Sequence, residues 1–218
     1  PPNTDQRGSG FVRVSGSQID IGAFERQPEQ PSLVVTTAVD TIDDFDLVTS
    51  LREAINFANS RSDAATITFD SSVFTGGAAS VIRLSGSELV ITETLTIDAS
   101  AGTNVVIAAD STGNDTLVSG TFITDVAASL AADSTSLDDN LRAMNFTASS
   151  GDLTLRKLTI TGGRTGRFNH GGGIRFSSGG VLTLDRSNVS GNSSESDGGG
   201  VYTNTGAVTL DNSMVSRS

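Results

Sequence analysis

The sequence predicts an all-β fold, a parallel β-helix closed at its N-terminal end by one short α-helix. Three observations carry this. From Thr66 onward the chain reads as short, Thr-rich, β-branched runs separated by Gly, Asn, Asp or Ser, the pattern of strands and tight turns. The C-terminal third repeats: Leu153-Thr154-Leu155, Leu182-Thr183-Leu184 and Val208-Thr209-Leu210 recur at offsets of 29 and 26 residues, followed by Ile160, Val189 and Val215. The segments Gly171-Gly172-Gly173-Ile174 and Gly198-Gly199-Gly200-Val201 recur at an offset of 27. A period of this size, made only of strands and turns, stacks equivalent strands in parallel register. Finally, one helical pattern stands ahead of all these strands.

Taken in order, residues 4–25 are strand-like, with Phe11, Val12, Val14, Ile19 and Ile21 set among Gly and Ser. Gln27-Pro28-Glu29-Gln30-Pro31 then reads as a linker. The opening segment therefore has little sequence of its own to pack against. In "DTIDDFDLVTSLREAINFANSRSDAATITFD" the helix starts at Ser50, whose side chain and Glu53 form a capping box. Leu51, Ala54, Ile55 and Ala58 share one face, and Asn59-Ser60-Arg61 are stop signals. A helix of about ten residues needs a docking surface to be stable, so a lid on a core is its natural role. Residues 126–140 read as a long excursion loop. The expected division is a closing segment over 1–27, a linker over 28–31, a cap over 32–65 with a helix at 50–59, and β-helix strands over 66–218.

Composition narrows the function. The 24 glycines bring a low hydrophobic fraction of 36% up to an ordinary globular level. A net charge of −11 argues against nucleic acid as a partner, and no apolar run is long enough for membrane insertion. With no cysteine there are no disulfides or thiolate metal sites. No basic, apolar signal peptide stands at Pro1, so the numbered chain reads as mature or cut from something longer.

"LVTSLREAINFAN" resembles the bacterial domain named for its Cys-Ser-Leu-Arg-Glu-Ala motif, with Thr49 in place of the Cys. "GGGI", "LTLDRSNVSGN" and "GGGVYT" resemble the right-handed parallel β-helices of polymorphic outer-membrane proteins and related adhesins. "TDQRGSGFVRVSGSQIDIGAFE" resembles the segment that closes such β-helices. The resemblance implies a secreted or surface-attached bacterial repeat protein and supplies no catalytic residues to carry over.

Four candidate sites follow. Asp40, Asp43, Asp44 and Asp46 offer hard oxygen ligands that could hold calcium, though the spacing is not that of an EF-hand. The plainer reading is an acidic loop favoured by the helix dipole. No other cofactor is called for. Arg164, Arg167, His170 and Arg175 are a basic cluster in an acidic chain, able to meet an anionic surface glycan or simply to be solvated and paired with nearby Asp. For catalysis, no acid, base and nucleophile converge. A polysaccharide lyase or hydrolase on a β-helix is the enzyme alternative; Asp152, Asp185 and Asp211 read instead as turn chemistry. Lastly, Phe11, Ile19, Ile21 and Phe24 are expected to seat on a neighbouring copy. The end at residues 208–218 offers an unpaired strand, and the opening segment of the next copy would close it. The expectation is therefore a non-catalytic extracellular module in a head-to-tail filament or tandem array, its partners being copies of itself.

Overall fold

The computed structural model describes residues 28–102, 104–109 and 141–216, with residue 4 and two short strands near the N-terminus. The excursion loop at 126–140 and the residues Phe11, Ile21 and Phe24 lie outside the described residues. The chain divides into two compact units, Pro1–Gln30 with Ile42–Val48, and Pro31–Thr41 with Thr49–Ser218. In the first, β1 (Val14–Ser15) pairs antiparallel with β2 (Gln18–Ile19), setting Val14 opposite Ile19.

The second unit begins with β3 (Val34–Val35), α1 (Leu51–Asn59) and β4 (Ala65–Phe69), followed by a 3-10 turn at Gly77–Ser80. The strands β5 (Val81–Arg83), β6 (Leu89–Ile91), β7 (Leu95–Asp98), β8 (Val105–Ala108) and β9 (Met144–Phe146) follow. Next come β10 (Leu153–Arg156), β11 (Leu158–Thr161), β12 (Arg164–Thr165), β13 (Ile174–Phe176) and β14 (Val181–Asp185). The unit ends with β15 (Asn188–Val189), β16 (Ser193–Ser194), β17 (Val201–Thr203), β18 (Ala207–Asp211) and β19 (Met214–Val215). Among the described residues the chain is mostly β with one α-helix.

Its strands form parallel sheets. The first is ordered β3-β4-β7-β10-β14-β18, the second β5-β8-β11-β15-β19, the third β6-β9-β13-β17, and β12 pairs with β16. From β4 onward the chain visits the first, second and third sheets in rotation. Register is held residue for residue, with Leu153 beside both Leu95 and Leu182, and Leu182 beside Val208.

Period-two patterning explains which side chains go inside. Ile67, Ile97, Leu155 and Leu184 form one fully buried column, and Ile82, Ile107, Ile160 and Val189 another. In the third sheet Phe146 and Phe176 stack with ring centroids 4.9 Å apart. Between the first and second sheets the last three passages each bend through a left-handed residue, Lys157 (φ 54°), Arg186 (φ 51°) and Asn212 (φ 48°). The glycine triplets have a steric cause. A Cβ on Gly172 would collide with the Ser193 carbonyl, and one on Gly173 would lie 2.6 Å from the Gly200 oxygen. Side chains cannot be accommodated where these strands approach.

The N-terminal strands of all three sheets are partly capped by preceding chain. The β3 strand covers the first, and a bridge from Val39 to Arg83 covers part of the second. Side chains of α1 serve the third. Arg52 donates to the Ser87 and Glu88 carbonyls, while Asn59 donates to the Val90 carbonyl and accepts from the Thr92 amide. Seven residues apart, the two side chains project from one face of the helix. Leu51, Ala54, Ile55 and Ala58 bury its apolar side. Ser50 accepts from the Glu53 amide while Glu53 accepts from the Ser50 amide, completing the capping box.

Candidate functional site

The four aspartates before the helix have separate tasks. Both Asp40 oxygens accept from Arg52, at 2.9 and 2.7 Å, and Oδ2 also accepts from the Ser85 amide. Its side chain is fully buried, so the carboxylate is a fixed strut between the segment before the helix, the helix and the β5–β6 connection. Asp43 accepts from the Phe45 amide and Asp46 from the Val48 amide, both local turn bonds. The Asp44 carbonyl accepts from the Glu29 amide. Among the described residues no group of three or more His, Asp or Glu is arranged to hold a metal ion.

The basic cluster separates into two parts. Arg164 lies on β12, and Arg167 is mostly exposed, its Nε 4.0 Å from Glu195. His170 and Arg175 lie elsewhere, each beside Tyr202 of the third sheet. Ile174 and Phe176 point inward and are fully buried, so the alternating Arg175 points outward. Register places it between Asn145 on β9 and Tyr202 on β17. His170 stacks on Tyr202 with centroids 4.4 Å apart and planes 17° from parallel. The Asp197 amide donates to His170 Nδ1 at 3.2 Å, which in the neutral ring leaves the proton on Nε2. When the ring is charged, Nδ1–H instead faces the Asp197 carboxylate, 3.4 Å away.

An ionic relay of buried Arg142 and half-buried Glu88 adjoins this patch. Arg142 donates to Glu88 at 2.6 Å and to the His170 and Gly171 carbonyls, and Asn145 donates to the other Glu88 oxygen at 2.7 Å. The loop carrying His170 is thus tied to the third sheet. The Asn145 Oδ1 and the Arg175 Nε are shielded from solvent and have no hydrogen-bond partner.

Sequence reasoning singled out His170 and Arg175 but not Asn145, Tyr202, Glu88 or Arg142. The signal for Tyr202 was present: it follows the second glycine triplet as Arg175 follows the first, so the 27-residue offset aligns them. Asn145 and Arg142 follow the segment at 126–140 read as an excursion loop and carry no repeat signature. Of the inter-copy candidates, Ile19 lies in β2, opposite Val14.

No protein-family model, curated protein or solved structure matches this chain.

Proposed function

We propose that this chain is a right-handed parallel β-helix serving as a non-catalytic structural or adhesive module outside a bacterial cell, one period of a head-to-tail array. The rotation of the chain through three parallel sheets supports the β-helix reading, as does the resemblance of the TSLREA and glycine-triplet segments to surface repeat proteins.

The array reading rests on one observation. Every inward column is buried until its last member. Leu95, Leu153 and Leu182 are at most 2% exposed, and the next position, Val208, is 39% exposed. Ile67, Ile97, Leu155 and Leu184 are at 0%, and Leu210 is at 50%. Val189 is at 0% and Val215 at 39%. These apolar side chains flank a strand edge whose amides and carbonyls point away from the stack. That combination is a template for one more strand in the same register. The same edge would take the next round of a tandem repeat as readily as the opening strands of another copy.

The test is the double substitution Val208→Lys and Leu210→Lys. Both side chains are already substantially exposed, so the fold should tolerate it. The unaltered chain should form end-to-end oligomers that grow with concentration in sedimentation and appear as rods in electron micrographs. The variant should remain monomeric. An unaltered chain that is monomeric at every concentration, or oligomers indifferent to the substitution, would refute the proposal.

A further inference from the structure

We infer that His170 is a proton-operated latch between two successive rounds. Neutral, it holds the loop over residues 194–197 by a backbone amide; charged, it releases that amide. The inference stands apart from the array, which uses the strand edges and not this loop.

Three successive amides of the loop are each held by a different kind of acceptor. The Glu195 amide donates to the Thr165 carbonyl, the Ser196 amide to Ser194 Oγ, and the Asp197 amide to His170 Nδ1. Only the third acceptor belongs to a group that changes charge between about pH 5 and 8. Water reaches it, the His170 side chain being 32% exposed. A proton taken from water occupies the Nδ1 lone pair, and two N–H groups then face each other where a hydrogen bond stood. The new N–H has another partner at hand, Asp197 Oδ2, 3.4 Å from the same nitrogen. One nitrogen cannot serve both arrangements at once.

The exchange is local, because both sides of the latch are otherwise fixed. Arg142 donates to the His170 and Gly171 carbonyls. The ring stacks on Tyr202, and an aromatic face suits an imidazolium as well as an imidazole. On the far side, the amides of Gly171, Gly172, Gly173 and Ile174 donate to the carbonyls of Asp197, Gly198, Gly199 and Gly200. None of these bonds titrates. Acid therefore frees the Asp197 amide and leaves a tether through a carboxylate that is itself 80% exposed, and such surface ion pairs hold little. The other charged groups around the ring are Arg142 with its partner Glu88, Arg175 beside Tyr202, and Arg164 and Arg167 on the histidine's own loop, Arg167 facing Glu195. Among the described residues Asp197 is the only acid at ion-pair distance from the ring.

The full 218-residue chain has a single histidine, so its ring signals are unambiguous in an NMR titration from about pH 8 to about pH 5. At the upper end the ring nitrogens should report the Nε2–H tautomer. As the ring takes its proton, the Asp197 amide should lose about three- to tenfold in hydrogen-exchange protection, the worth of one net hydrogen bond. That loss should share the ring's midpoint, while the Gly173 amide keeps its protection. His170→Phe keeps a ring to stack on Tyr202 but has no acceptor, so Asp197 should be weakly protected at every pH, with no step. Asp197→Asn keeps the backbone amide and removes the acid, so the step should remain. An Nδ1–H tautomer, an Asp197 amide indifferent to the ring's titration, a step that survives His170→Phe, or a step lost in Asp197→Asn would overturn the inference.

Discussion

Outward side chains of the first sheet form a charged column, Asp98, Arg156, Asp185 and Asp211. Arg156 stands between Asp98, at 3.6 Å, and Asp185, at 3.3 Å, and Arg186 reaches Asp185 at 2.9 Å. The Arg186 hydrogen bond is the main reason the Asp185 carboxyl lies below the usual aspartate range; partial desolvation opposes it, and the Arg186 and Arg156 charges add to it. At Asp98 desolvation pushes upward, but bonds from Ser100 and the nearness of Arg156 outweigh it, so that carboxyl is lowered too. A depressed folded-state pKa means that the stabilisation is present above the unfolded value, near pH 4, and disappears as pH falls through the folded value. Thermal midpoints followed from neutral pH to about pH 3 should therefore drop more for the parent than for Asp185→Asn. Parallel curves would remove any stabilising role for this column. Asp185 and Asp211, read from the sequence as turn residues, stand instead as the last residues of paired strands, and Arg156 was not legible, because nothing in a run such as "LTLRK" tells which cation will face an acid on the next round.

The helix was the most legible element, because its capping box and one-sided apolar face are local. Its second task was hidden. Arg52 and Asn59 lie on a polar face that any solvated helix would have, and only tertiary placement reveals that they satisfy the edge of β6. The aspartates show the same split between local and tertiary partners. A crowded acidic loop reads as a ligand set, but Asp40 is claimed by Arg52 at long range and Asp43 and Asp46 by their own turns. Two substitutions separate local capping from tertiary closure. Ser50→Ala removes the cap and the donor to the Thr41 carbonyl, and should cost about 1–2 kcal/mol. Arg52→Ala leaves the buried Asp40 carboxylate unpaired and two carbonyls without donors, and should cost about 3–5 kcal/mol. Urea unfolding measures both. If Arg52→Ala costs no more than Ser50→Ala, the closure assigned to Arg52 is wrong.

At the scale of the whole molecule the repeat was readable, but the rounds before Leu153 were less so. Leu95-Thr96-Ile97 aligns with Leu153-Thr154-Leu155 in the sheet, yet 58 residues separate them in sequence, and a long insertion conceals the period. What the stacked register predicts is graded stability, since each round touches only its neighbours. Consider the chain ended at Thr203, without β18 and β19. Leu182, Leu184 and Val189 would then take the positions now held by Val208, Leu210 and Val215, passing from 0% exposure to something near the 39–50% of those residues. Losing about half the burial of three aliphatic side chains costs about 3 kcal/mol. The removed residues no longer have to be ordered, and that released conformational entropy offsets much of the loss. The shortened chain should therefore fold cooperatively with stability within about 2 kcal/mol of the parent and a smaller urea dependence, because less surface is exposed on unfolding. It should also still associate end to end, since its new edge repeats the old one. A shortened chain that fails to fold would contradict the nearest-neighbour stack. One that folds but stays monomeric would show that the contact depends on particular residues of the last two strands, and not on the repeating edge.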